Sequence, residues 1–335
     1  MLASIFGMTG ESLTADERAF FKDADPAGYI LFQRNCASVE QMRALTDDLR
    51  AIHGRDDVPI LIDQEGGRVA RMKPPVWPVF PPGEAFAKLY QVAPISAIEA
   101  LKANTAAIAA ILRDVGVNVD CLPLLDVRQP GAHDIIGDRA LGSEPMQVAS
   151  LGRATLDGLR EGGVVGVVKH MPGHGRSMSD SHVELPVVAA SEEELEVDIR
   201  PFRSLREAPM GMTAHVVYTA WDKDNCGSQS PYVIGEIIRK RIGFEGWLMS
   251  DDLGMHALQG DFGERAAKVL AAGCDVALHC SGDMAEMQAI AGTIGALTPE
   301  SIARLERAMA TIRDVSPVVS YEELAAKRDA LLAYS

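Results

Sequence analysis

Short runs of apolar, often β-branched residues alternate along this chain with longer amphipathic stretches that open on capping residues. The runs predict eight strands: Ala3–Met8, Gly28–Phe32, Ile60–Gln64, Val117–Leu122, Val164–His170, Met210–His215, Trp247–Asp252 and Asp275–Cys280. Several are apolar at consecutive rather than alternate positions, the pattern of parallel strands covered on both faces. The stretches between them carry helix-start chemistry. Six pair an N-cap oxygen with an acid or amide three residues later, so that each satisfies the other's orphan N–H: Thr14/Glu17, Ser38/Gln41, Ser96/Glu99, Ser191/Glu194, Asp261/Glu264 and Asp283/Glu286. Ser230-Pro231 marks a seventh start, with proline in the first helical position. Gly54, Gly116, Gly162-Gly163, Gly243 and Gly273 supply stops. A terminal pair of helices is expected after Thr298-Pro299, where Ile302, Leu305, Met309 and Ile312 recur at helical spacing.

Strands alternating with helices predict an α/β protein, a single (β/α)8 barrel over residues 1–335 with loop insertions and extra C-terminal helices. The alternative is a doubly wound open sheet. Against it, no Gly-rich dinucleotide loop or phosphate loop follows an early strand. No Pro/Ser-rich linker and no internal repeat divides the chain. The surplus over a minimal barrel falls in Met72–Ile95, Leu124–Pro145, Met171–Ala190 and the C-terminal tail. All but the tail follow strand C-termini, where barrel enzymes build their sites.

Composition narrows the partners. The 335 residues include 32 Lys+Arg against 47 Asp+Glu, a formal charge of −15, with 47% apolar residues. That is the balance of a globular protein. It offers no basic stripe for nucleic acid and no attraction to anionic membranes. Five cysteines, Cys36, Cys121, Cys226, Cys274 and Cys280, are odd in number and lack C-x-x-C spacing, as in a reducing compartment. Neither a signal peptide nor a membrane-spanning stretch is expected. The expectation is a cytoplasmic monomer that acts on a small molecule without a cofactor.

Polar residues gather at the strand ends: Asp63-Gln64-Glu65, Asp120, Lys169-His170, His215, Ser250-Asp251-Asp252 and His279. Barrel strands tilt about a shared axis, so their C-terminal ends converge on one pocket. Taken singly, each is as well explained as a helix cap or a satisfied core polar group. Asp251, closing the apolar Trp247-Leu248-Met249, is rigidly aimed, as a nucleophile should be; Asp252 reads as a cap or supporting group.

The most specific segment is Lys169-His170-Met171-Pro172-Gly173-His174-Gly175, followed by Asp180-Ser181-His182. Asp180 and His182, two apart in extended chain, point the same way, so the carboxylate could orient the imidazole for proton transfer. A turn aspartate capping its own loop is the plainer reading. The loop Met171–Pro186, with Gly173, Gly175, Ser177 and Ser179, is expected to close on a ligand and deliver His182. The histidines also allow a metal-dependent hydrolase built on His170, His174 and His182, with His215 and His279, although their spacing matches no standard ligand pattern. A non-catalytic sugar sensor is a third reading, one that would need no aimed Asp251.

Ile62-Asp63-Gln64-Glu65-Gly66-Gly67-Arg68-Val69-Ala70-Arg71, the Lys169–Gly175 segment with Asp180-Ser181-His182, and Ser250-Asp251-Asp252-Leu253-Gly254-Met255 together resemble the β-N-acetylglucosaminidases of glycoside hydrolase family 3. The resemblance spans nearly the whole chain, in the single-domain Gram-negative form. It implies a retaining, two-step hydrolysis with Asp251 as nucleophile and a His182–Asp180 acid/base pair. It implies that Asp63, Arg71, Arg139, Lys169 and His170 bind the N-acetylglucosamine unit. It further implies a peptidoglycan-derived substrate, the disaccharide with 1,6-anhydro-N-acetylmuramic acid and its peptide-linked forms, in cell-wall recycling. Three cations in one pocket would suit a sugar with acidic substituents, although Arg139 could simply pair with its neighbour Asp138. The sequence departs at Met171, where the family often has phenylalanine, and at Gly254, where it often has serine or asparagine and which could loosen the turn behind Asp251.

Overall fold

The computed structural model describes residues 1–131, 134–177, 185–316 and 319–334. Its barrel strands are β1 (Leu2–Phe6), β2 (Pro26–Leu31), β3 (Ile60–Ile62), β4 (Val119–Asp120), β5 (Val165–Met171), β6 (Met210–Thr213), β7 (Trp247–Asp252) and β8 (Val276–His279). They pair in chain order into a closed parallel barrel, with β1 sealing onto β8 from Ser4–Ala277 to Phe6–His279. Each lies within or beside an expected strand. Closure excludes the open sheet, which would leave two unpaired edges. Every residue of β2 and β5 is buried, which accounts for their apolar runs.

Around the barrel run α1 (Ala15–Ala24), α2 (Val39–His53), α3 (Gly83–Val92), α4 (Pro94–Asp114), α5 (Pro145–Glu161), α6 (Glu192–Ser204), α7 (Phe262–Ala272), α8 (Met284–Ala291), α9 (Pro299–Ala310) and α10 (Tyr321–Leu332). A π-helical turn set, Val233–Ile242, stands between α6 and α7. Three expected capping boxes form, at Thr14/Glu17, Ser38/Gln41 and Ser191/Glu194. Asp261 and Asp283 cap α7 and α8 without the reciprocal bond; the Glu286 carboxylate is instead taken by the Ser281 hydroxyl at 2.6 Å. Ser96 is not a cap. Pro94, preset for the first helical turn, starts α4 two residues earlier. The stretch expected as a loop over Met72–Ile95 also contains α3.

By length and composition α4 could cross a membrane, contrary to the sequence expectation. In the fold it packs against α3, α5 and α10, with eleven of its residues buried. Inside the barrel, Ile5, Ile30, Leu61, Val167, Trp247 and Met249 form a second core, and Leu305 and Met309 of α9 join it. Trp247 Nε1–H donates to Ser301 Oγ at 3.3 Å, fixing α9 to that core.

Two small additions frame the site. A hairpin, Gln64–Gly66 with Val69–Ala70, follows β3, and Val187–Val188 pairs with Val217–Tyr218. The hairpin is closed by Gln64, whose Oε1 accepts from the N–H groups of Arg71 and Met72 at 3.0 Å each. That bond sets where Arg71 stands.

Candidate active site

At the C-terminal ends of the strands lies a cavity of about 260 Å³. Its charged lining comprises Asp63, Glu65, Arg68, Arg71, Arg139, Lys169, Asp251 and Asp252; Phe32, Met212, Met255 and Leu278 supply apolar wall. Lys169, on β5 and 2% exposed, is the hub. Its Nζ stands 3.0 Å from Asp63 Oδ1 and 2.6 Å from Glu65 Oε1. Asp63 Oδ2 accepts from Arg71 at 2.9 Å, and Glu65 receives both arms of Arg139 at 2.8 Å each. The Arg71 guanidinium also lies 4.7 Å over the Phe32 ring. Burial disfavours both carboxylates, but the cations outweigh it. Asp63 is held far below the usual range by Lys169 and Arg71, and Glu65 falls to about 2 beside Arg139 and Lys169.

The three cations expected here are present, but each is paired with a carboxylate. Arg139 turns to Glu65, while Asp138 pairs with Arg68 at 2.9 Å, so the local Asp138–Arg139 pair does not form. The wall is a lattice of three cations on two carboxylates, in which every cation is engaged and one net positive charge remains.

A second support is Asp126, fully buried at the end of the Leu124-Leu125 run. Its Oδ2 accepts from His170 Nδ1–H at 2.6 Å, and its Oδ1 from the His174 N–H at 2.7 Å. His170 has a left-handed backbone, φ 117°, which costs a residue with a Cβ roughly 1–3 kcal/mol. The short bond to Asp126 holds the ring against that strain and, among the described residues, leaves Nε2 as the ring nitrogen without a hydrogen bond. His174 is lowered to about 4 because burial outweighs the attraction of Asp126.

That shift predicts a pH-dependent stability. With a folded value near 4 against 6.5, the unfolded chain binds more protons between those limits. Stability should therefore be full above pH 6.5 and fall by about 3 kcal/mol as the pH drops to 4, levelling off below. Urea titrations of wild type and His174→Leu across this range check it; equal slopes for the two would refute it.

Asp251 projects from the end of β7. Its Oδ1 accepts from the Asp252 N–H at 2.8 Å. Burial opposes its ionisation, yet His215 and His170 hold the carboxyl below its ordinary value. It is not the cap of the next helix, which is Asp261. Asp252 is the supporting residue: its Oδ1 accepts from the N–H groups of Gly254 at 3.0 Å and Cys280 at 3.1 Å. Gly254 therefore sits in a tethered turn, and Met171 is wholly buried in the packing role expected of it.

Other strand-end residues do not reach the cavity. Asp120 is fully buried beneath it, accepts from Gln64 N–H at 3.0 Å, and burial pushes its carboxyl well above the ordinary value. His215 bonds Ser228 and the Asp252 carbonyl, and His279 bonds Ser281 at 2.9 Å and faces Glu286 at 3.1 Å. Asp180 and His182 lie outside the described residues. Among the described residues no three His, Cys, Asp or Glu side chains form a metal-holding group. Of the described histidines of the metal reading, His170 and His174 share Asp126, whereas His215 and His279 turn to other partners. Sequence reasoning missed the roles of Glu65, Asp126 and His174. A lone Asp in the apolar Leu124–Val127 run was the available signal for Asp126.

A family model described as "Glycosyl hydrolase family 3 N terminal domain" matches residues 5–315. The chain belongs to glycoside hydrolase family 3. It is a glycosidase and groups with the β-hexosaminidases of that family. A relative named Beta-hexosaminidase from Methylococcus capsulatus is 39% identical over 99% of this chain and 95% of its own length. One of the same name from Bordetella pertussis is 37% identical over 83% of this chain and 80% of its own. The crystal structure of NagZ from Neisseria gonorrhoeae in complex with N-trifluoroacetyl-D-glucosamine superposes with a TM-score of 0.85 at 29% identity, covering 99% of this chain and 96% of that one. The resemblance read from the motifs thus holds over the whole barrel.

Proposed function

We propose that this family 3 enzyme is a retaining exo-β-N-acetylglucosaminidase. The observation that carries the reading is Asp251 at the end of β7, its carboxyl held below the ordinary value, in the same cavity as the Asp63–Lys169–Glu65 lattice. The neighbour bound to an N-acylated glucosamine derivative supports the sugar class. Asp63 accepts from sugar hydroxyls, while Arg71, Arg139, Lys169 and His170 donate to sugar oxygens. The small cavity seats a terminal unit, which suits exo cleavage. In the first step Asp251 attacks the anomeric carbon, the glycosidic bond breaks, and His182 gives its proton to the leaving oxygen. In the second, His182 takes a proton from water, which attacks the same carbon and frees Asp251. Asp180 orients His182. Neither a cofactor nor a metal enters this scheme.

The natural substrate we propose is a peptidoglycan fragment carrying N-acetylglucosamine on 1,6-anhydro-N-acetylmuramic acid, handled by a cytoplasmic monomer in cell-wall recycling. The motifs and the relatives support this. Every wall cation already faces a carboxylate, so the single net positive charge of the lattice is what these residues would offer the acidic part of such a substrate.

The test is covalent trapping with a 5-fluoro N-acetylglucosaminyl reagent followed by peptide mapping. A label on Asp251 is the expected result, and one elsewhere overturns the assignment. For the acid/base pair, His182→Ala should slow cleavage of an unactivated disaccharide by about 10²–10⁴-fold. It should slow aryl glycosides with good leaving groups far less. Equal losses on both substrates would count against proton donation by His182.

A further inference from the structure

His215 is fully buried and lines no part of the cavity, yet both of its ring nitrogens are engaged. Nε2–H donates to the Asp252 carbonyl at 3.0 Å, and Nδ1 meets Ser228 Oγ at 2.5 Å. Ser228, also fully buried, contacts the Cys226 thiol at 3.3 Å. At the other side of residue 252, its N–H donates to Asp251 Oδ1 and the Ser250 hydroxyl donates to the Asp251 carbonyl, each at 2.8 Å. The β7–β8 register slips between Met249 and Asp252, so the regular ladder does not fix this stretch. Side chains do it instead, one on each flanking peptide.

We propose that His215 is a positioning residue for the nucleophile, a relay in which Ser228 orients the imidazole, the imidazole pins the Asp252 carbonyl, and the pinned residue presents its N–H to Asp251. The proposal rests on the reading of Asp251 as nucleophile. The chemistry of each link is one-directional. A carbonyl only accepts, so Nε2 carries hydrogen. Asp252 cannot swing away, because its carboxylate is held by Gly254 and Cys280. The charges agree with this placement: burial opposes ionisation of both groups, but the Cys226 contact and then the Asp251 charge raise His215, and His215 and His170 lower Asp251. A reacting atom displaced by about 1 Å loses on the order of 10²-fold in rate.

The experiment compares covalent trapping rates of the full chain and its variants with the 5-fluoro reagent, alongside calorimetric affinity for N-acetylglucosamine. His215→Gln keeps an N–H donor near the Nε2 position and should trap within about 5-fold of wild type. His215→Leu should trap about 10²-fold more slowly, while sugar affinity stays within about 3-fold, because His215 is not itself part of the cavity lining. Ser228→Ala frees the ring at Nδ1 and should cost about 10-fold, the worth of one hydrogen bond; it decides the matter if the leucine variant does not fold. Wild-type rates in Ser228→Ala or in a folded His215→Leu overturn the proposal, as does a parallel loss of sugar affinity. A wild-type label elsewhere than on Asp251 removes the nucleophile reading and the proposal with it. A label on Asp251 with unchanged variant rates overturns the proposal alone.

Discussion

Asp251→Ala is expected to reduce release of a fluorogenic leaving group from an N-acetylglucosaminide by at least about 10⁴-fold. The size follows from the lack of a substitute. Asp252 is spent on the backbone of Gly254 and Cys280. Asp63 and Glu65 are bound to Lys169, Arg71 and Arg139. No other carboxylate of the cavity wall is both ionised and unclaimed among the described residues. The fold should not suffer, because among the described residues the Asp251 side chain receives only a local backbone bond, from the Asp252 N–H. Turnover near the wild-type level in a folded variant would end the assignment of Asp251 as nucleophile.

Lys169→Met is expected to act on stability as well as on activity. Removing one partner of a buried ion pair strands the other and costs about 3–5 kcal/mol. Here two carboxylates lose the ammonium that lies within 3.0 Å of both. Each keeps one arginine, which places the expected loss near the lower end of that range. Adding Asp63→Asn would leave Arg71 without its carboxylate, so the double variant should be less stable than Lys169→Met alone, but by less than the sum of the two single losses. Urea denaturation near neutral pH measures both. A double variant whose loss is the simple sum of the two single losses would show that the lattice is not coupled.

The frame of the protein is legible because barrel burial imprints itself on sequence. β7 occupies the expected Trp247–Asp252, and three capping boxes fall where their side chains predict. What escaped has physical reasons. The α4 start was misplaced because Ser96 has a capping pattern but Pro94 acts first. α3 was read as loop because Pro81-Pro82-Gly83 reads as a break before it. Within the site, strand-end position identified Asp63, Lys169, His170 and Asp251 but could not sort inward from outward. His215 and His279 end one strand each, yet both turn to bonds behind the cavity. Asp126 and Glu65 act through other side chains, and sequence spacing carries no sign of who pairs with whom. Arg71, Arg139 and Lys169 do share one cavity, but their pairing with Asp63 and Glu65 depends on residues 63 to 71, 139 and 169 meeting in space.

The seam between β1 and β8 has a consequence for how the molecule comes into being. Ser4 pairs with Ala277, so the barrel cannot close until nearly the whole chain exists. At roughly 5–20 residues per second of synthesis, β1 waits some tens of seconds for its partner. During that interval its N–H and C=O groups form an open edge, the kind of surface on which chains aggregate. The cavity cannot be finished before that seam, since Leu278 and Cys280, at its β8 side, belong to its wall. Catalytic competence therefore arrives late and all at once, with no active half-barrel on the way.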